Sequence, residues 1–285
     1  MTLAQKNKTM GVIRYIVLIL VAIMMLYPLF WLVGGVWKGN SEIFTSAWIF
    51  PMKPVDGWKA LVQGWITRTP LNLGQYFLNT LRFLLPRVIF QTASCLLTAY
   101  AVSRFKFVGK KIVFSLIIAT LLMPDVVFRI PLFILWRDFD MLNTVFPLWL
   151  DSAFATGSFF VFMLIQFMRT IPKDLDEAAK IDGCGSFKIL YMIIVPCMKP
   201  AIITVSLLTF MWGMNDFLGP LIYITDPLQY PLSLGLRLAS DNTGAGVQFN
   251  EVFAMSALAL IPAVVLFFAA QRYFIDGIAA TGSKE

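Results

Sequence analysis

Arg82, Arg87 and Arg129, together with Asp125, Asp151 and Asp216, lie inside long apolar runs. A charge at the centre of a bilayer costs roughly 2.5–3.5 kcal/mol, so each needs either a partner or a task. The chain has no histidine, which excludes His acid–base catalysis, His zinc sites and His proton relays. Cys95, Cys184 and Cys197 are odd in number and lack metal-ligand spacing, which argues against a disulfide framework or a metal site. The nearest approach to a phosphate-cradling loop is Gly277-Ile278-Ala279-Ala280-Thr281-Gly282-Ser283-Lys284, where Ser and Lys are exchanged and no strand precedes the glycine. Without a plausible catalytic pair the chain reads as non-catalytic, with no cofactor of its own.

These charges need elements to hold them. The 285 residues are 59% hydrophobic and 14% charged, a composition made for lipid rather than for soluble domains. Six runs approach the roughly 20 residues that a membrane span requires: 16–36, 77–102, 112–135, 145–168, 201–224 and 252–268. The expected architecture is an all-α, six-span polytopic membrane protein forming one domain over 1–285. The first run follows Lys6, Lys8 and Arg14 and reads as an uncleaved signal-anchor.

The net charge of +7 fits topology better than nucleic-acid binding, because the basic residues gather between apolar runs. With both termini on one side, fourteen Lys and Arg fall there and six fall opposite, among them Arg68. The positive-inside rule then places the termini, the 103–111 loop and the 169–200 loop in the cytoplasm. Gly57 and Asn242 belong outside. The long 37–76 connection, with its prolines and glycines, is expected to carry short interfacial helices or turns.

Two spans contain their own interruptions. Trp212-Gly213-Met214-Asn215-Asp216-Phe217-Leu218-Gly219-Pro220 reads as a broken helix whose freed carbonyls line a cavity, making Asn215, Asp216 and Gly219 candidates for a translocation path. Pro124 with Asp125, and Pro131, predict a similar break in the third span. Arg82, Arg87 and Arg129 fall in the outer half of the membrane. There they either snorkel to headgroups or make an electropositive path for an acidic cargo.

The 169–200 loop is too patterned to be a simple connector. Pro172, three early acids and Gly183 are start and stop signals for a helix over 174–182. A second helix should run from Gly185-Ser186 to Pro196, which would interrupt it. Leu175, Ala178, Ala179 and Asp182 are expected to share one small, nearly flat face, with Glu177 able to meet a cation on another protein. The acids outnumber the bases in this helix, which disfavours a helix lying on anionic headgroups.

Glu177-Ala178-Ala179, then Gly183, Ile193, Val195 and Pro196, resembles the EAA loop of ABC importer permeases. Tyr27-Pro28-Leu29-Phe30-Trp31, Arg104-Phe105-Lys106-Phe107, Met214-Asn215-Asp216-Phe217 and Gln271-Arg272-Tyr273-Phe274 are similar to carbohydrate-uptake permeases of the maltose-transporter type, in particular their smaller six-span subunit. The resemblance implies a bacterial inner-membrane heterodimer with a second permease and two ATPase subunits that bind ATP and Mg. It also implies an extracytoplasmic solute-binding protein and a saccharide cargo. It assigns ATPase coupling to Glu177, Ala178, Ala179, Asp182 and Gly183, and brings residues 279–285 near the ATPases. The competing reading is a secondary carrier driven by an ion gradient through Asp125, Asp151 and Asp216.

Overall fold

The structure is a computed structural model that describes residues 3–67, 69–241, 246 and 248–282. Arg68, Asn242 and Lys284, with the rest of the 283–285 tail, lie outside the described residues. Among the described residues there is no β-strand. Four helices are long and apolar enough to cross a membrane, and six spans result when each of two sharply bent helix pairs is counted as one. Two compact units form, one within Met1–Gly74 and Gly235–Ile261, the other within Gln75–Leu234 and Pro262–Glu285.

The first unit begins with α1 (Leu3–Gly35), which is apolar on all sides once Arg14 is passed. Its most apolar window has no buried residue, as suits a helix whose surroundings are lipid or other subunits. The 37–76 connection forms α2 (Asn40–Thr45) and α3 (Gly57–Ile66), the short helices expected there. Asp56 starts α3 by accepting the Lys59 N–H at 3.0 Å, an N-cap bond. Val36, Ala60 and Ala254 make a small core with Trp37, Leu61 and Phe253. Lys38 is fully buried. Its ammonium donates to the Trp48 carbonyl and lies 5.7 Å from the centre of the Trp31 ring.

The second unit is built on α4 (Leu73–Arg104). Tyr76, Thr80, Phe83, Leu84, Gln91, Cys95, Ala99 and Val102 are buried and recur every three or four residues for most of its length, so one stripe of the helix faces its neighbours. Lipid is as apolar as leucine, so this stripe is held by close packing and polar contacts rather than by expulsion of water. The third span is α5 (Lys110–Leu121) and α6 (Val126–Asp138), bent by 104° at 122–125. The interruption expected in this span falls at Pro124 and Asp125, and Pro131 stays inside α6. Neighbouring helices can satisfy the carbonyl that a proline releases.

The fourth span is less regular than its apolar run implies. Two 3-10 turns, Phe146–Leu148 and Leu150–Phe154, precede α7 (Ser158–Met168). An 11-residue helix is only about 16 Å long, too short to span alone. After α7 come α8 (Asp174–Ile181) and α9 (Ser186–Ile189), a π-helical turn over Leu190–Ile194, and α10 (Val195–Cys197). The chain then bends by 80° into α11 (Lys199–Met214). The break falls at Met198, just before Pro200, and not at Pro196, which sits within the short helix.

The fifth span is completed by α12 (Leu218–Tyr223), so the predicted interruption is present at 215–217. A further helix, α13 (Leu232–Asp241), is an element that the apolar pattern did not announce. The last helix, α14 (Phe249–Gly282), extends well past the expected 268. Residues 279–282 of the proposed tail are therefore helical.

Candidate functional site

Two short helices, α8 and α9, meet at Gly183 as an elbow, and this elbow is clasped to the end of α4. Arg104 Nε lies 2.9 Å from Asp176 Oδ2, and the two side chains are only 6% and 9% exposed. Arg104 Nη2 also donates to the Ile171 carbonyl at 3.0 Å. One turn earlier, the Tyr100 hydroxyl donates to the Ser186 carbonyl at 3.1 Å, so α4 holds both limbs of the elbow. A buried ion pair with one partner on each element couples the two, because losing either partner strands a charge. Neither Arg104 Nε nor Asp176 Oδ1 makes a hydrogen bond among the described residues, so the pair is held by charge and by the Ile171 carbonyl.

Gly183 ends α8 in the left-handed region at φ +77°. The Gly183 N–H donates to Lys180 O at 3.0 Å and the Cys184 N–H to Ala179 O at 2.9 Å, the paired bonds of a Schellman stop. No L side chain adopts that φ cheaply. The turn is therefore rigid for a stated reason, the backbone angle that sends Ser186 toward Tyr100.

The faces of α8 differ from the expected assignment in one respect. Glu177, Ala178, Asp182 and Gly183 are exposed, with Leu175 and Ile181 beside them. Ala179 is 5% exposed and belongs to the core formed by α4, α7 and α11. It faces inward with Asp176, three residues before it, so the exposed face holds Leu175, Ala178 and Asp182 without Ala179. Asp176 is not singled out by the sequence, where it reads as one of three acids at a helix start.

The second cluster lies at the break in the fifth span. Asp216 Oδ1 accepts the Gly219 N–H at 3.0 Å, starting α12, while Oδ2 is 3.2 Å from Arg87 Nη1. Arg129 Nη2 approaches Oδ1 at 3.9 Å. The side chains of Arg87 and Arg129 are 28% and 29% exposed, against 13% for Asp216. Asp151 lies within electrostatic reach of both arginines, and Tyr223 within reach of Arg129. Two glycines make room: a Cβ on Gly219 would press on the Asp216 carboxylate, and one on Gly213 would run into Leu84 of α4.

Arg87, Arg129, Asp216 and Gly219 are thus brought together. Asn215 stands beside them, exposed, its amide donating to the Met211 carbonyl at 2.8 Å and closing the end of α11. Arg82 does not join them. Five residues before Arg87 it points about 140° away around the helix, and it donates to Asn79 at 3.1 Å, whose amide in turn holds the Leu228 and Tyr230 carbonyls. Asp125 is exposed at the bend between α5 and α6. The snorkelling reading fails for Arg87 and Arg129, which turn inward to an acid.

Residues 94–279, which contain the elbow and Asp216, match the family described as binding-protein-dependent transport system inner membrane component. The galactooligosaccharides transport system permease protein GanQ of Bacillus subtilis is 33% identical over 95% of this chain and 94% of its own length. The sn-glycerol-3-phosphate transport system permease protein UgpE of Yersinia pestis is 27% identical over 96% and 98%. Among solved structures, a bacterial ABC transporter involved in the import of the acidic polysaccharide alginate superposes with a TM-score of 0.79, covering 94% of this chain and 98% of that one. At 20% identity that likeness is one of fold. With its six spans, its elbow and its broken fifth span, this chain belongs to the ABC-transporter permeases that form the inner-membrane components of binding-protein-dependent transport systems.

Proposed function

We propose that the chain is the non-catalytic permease subunit of an ABC importer for an oligosaccharide. It pairs with a second permease, rests on two ATPase subunits that bind ATP and Mg, and receives cargo from an extracytoplasmic solute-binding protein. The observation that carries this reading is the elbow, a short helix with an exposed face that is locked to a span by a buried ion pair. Such a helix has no use in a self-contained carrier. It transmits a push from a partner through α10 and the bend at Met198 into α11. The carrier reading also loses Asp216 as an unengaged carboxylate, because Arg87 and Arg129 hold it.

The cargo we propose is acidic, with uronate groups. A sugar carboxylate entering at the fifth-span break would take over Arg129, the arginine whose contact with Asp216 is the longer. In low-dielectric surroundings such an exchange of one carboxylate for another avoids exposing a lone cation. The termini, the 103–111 loop and the elbow are cytoplasmic, and residues 279–285 approach the ATPases.

Native mass spectrometry of the affinity-purified assembly tests the partners: one copy of this chain with a different permease and two ATPase copies is expected, and recovery as a self-contained oligomer would overturn the reading. Orientation is tested by single cysteines in a Cys-free background. A cysteine replacing exposed Lys53 should react with an impermeant thiol reagent from outside, and one replacing exposed Val108 should not. Gly57 is unsuitable for this purpose, since any side chain there meets Trp37.

A further inference from the structure

The second unit contains a cavity of about 900 Å³ that belongs neither to the outer face of the elbow nor to the Asp216 cluster. Its walls are the last turn of α4, the 105–109 turn, the first turn of α5, the end of α7 and the segment leading into α8. Arg104, Lys106, Lys110, Lys111, Arg169 and Lys173 line it, and no carboxylate is among the lining residues. Arg104 is committed to Asp176, and the Arg169 guanidinium lies 5.2 Å from the centre of the Phe114 ring. Among the described residues no ion pair joins Lys106, Lys110, Lys111 or Lys173 to an acid.

The chemistry of the cavity has two parts. The rim is cationic and includes the start of α5, where the positive end of a 12-residue helix adds to the lysines. The floor is apolar, made by Val102, Ile112, Phe114, Met168 and Ile171. A small free anion would use only the rim, and an acidic protein segment would leave the floor empty. An amphiphile with an anionic head fills both. The ends of three apolar segments, α4, α5 and α7, also meet here, and clustered lysines at such ends attract anionic headgroups.

We propose that this cavity binds an anionic phospholipid, its phosphate held by Lys106, Lys110 and Lys111 and an acyl chain running along Ile112 and Phe114. The lipid then packs beside the Arg104–Asp176 clasp and steadies the 103–111 turn against the elbow. This proposal rests on neither the cargo nor the ATPase assignment.

The test uses the full chain in its assembly, reconstituted in nanodiscs of phosphatidylcholine with a minority of phosphatidylglycerol, with native mass spectrometry of retained lipid as the readout. Phosphatidylglycerol should be retained over phosphatidylcholine by about tenfold or more relative to its share, given the attraction of several lysines for an anionic headgroup. The combined Lys106→Gln, Lys110→Gln and Lys111→Gln variant should lose that preference, and the corresponding Arg variant should keep it. Equal retention of the two lipids by the unaltered chain, or an unchanged preference in the Gln variant, overturns the proposal. So does complete release of phosphatidylglycerol by excess inorganic phosphate, which would leave a site for free anions. If the Gln variant does not assemble, the headgroup preference of the unaltered chain and of the Arg variant decides.

Discussion

Two ion-paired sites within one unit are built on opposite plans. At the elbow, one arginine meets one aspartate at 2.9 Å, both nearly excluded from the surroundings, and a backbone carbonyl takes a second guanidinium nitrogen. At the fifth-span break, two arginines share one aspartate at 3.2 and 3.9 Å, more than a quarter of each arginine side chain is exposed, and a second acid stands within electrostatic reach. The first arrangement is enclosed and joins a single pair, and it is a fastening. The second shares one acid between two partly exposed cations and can exchange partners, which a path for moving cargo requires and a fixed joint must avoid.

The comparison breaks most visibly at the elbow. Replacing Arg104 by Met leaves Asp176 buried alone, and about 3–5 kcal/mol of stability should be lost, read as a collapse of thermal stability in detergent and of membrane abundance. Adding Asp176→Leu should restore most of that loss. A single variant as stable as the unaltered chain would show that the pair fastens nothing.

A smaller loss of stability with a full loss of function is expected at Gly183. Proline there removes the N–H that bonds Lys180 O and cannot adopt φ +77°, so transport should stop while the chain still inserts. Alanine has open space around it and should cost about 1–2 kcal/mol for the left-handed angle alone. Ala178→Arg, on the exposed face, should block coupling without unfolding. Ala179→Arg would not separate the two effects, since Ala179 is core. Undiminished uptake in the Gly183→Pro and Ala178→Arg variants would remove the elbow from the coupling route.

The charged break should yield the mildest changes in stability and the most selective changes in transport. Arg129→Gln is expected to slow uptake of an acidic saccharide about tenfold or more with membrane abundance unchanged. Arg87→Gln should have nearly as large an effect, because it holds Asp216 at the shorter distance. Arg82→Gln should matter least, within about 0.5 kcal/mol in stability, because that side chain is exposed and turned to Asn79. Equal uptake of a neutral sugar with all three replaced would make the arginines structural.

Much of this was legible in the chain. Gly183, the acids of α8 and the break around Asp216 were readable because backbone chemistry is local: a glycine stop and a Gly-Pro interruption act within a few residues. The pairing of Arg104 with Asp176 was not, because the two lie on different elements and each has an ordinary reading where it stands. Arg104 looked like one of many basic residues near a span end, and Asp176 like one of three acids at a helix start. Apolar runs located the spans but not their internal form. The run 145–168 is mostly apolar throughout, yet only Ser158–Met168 is α-helical, since hydropathy measures affinity for lipid and not the winding of the backbone.

The π-helical turn at Leu190–Ile194 sets a phase between the elbow and the start of the fifth span. A π turn takes up one residue more than an α turn, and one residue is about 100° of rotation around a helix. Leu190 and Ile194 are both buried across it while Tyr191 and Met192 face out. Deleting a single residue within 190–194 would let the segment close into an ordinary helix with its composition almost untouched. The buried side would then fall out of step by about a quarter turn, and the two ends of the lever would point in different directions. Length in this segment is thus counted to the residue, and insertions or deletions there should be far less tolerated than substitutions at Tyr191 or Met192.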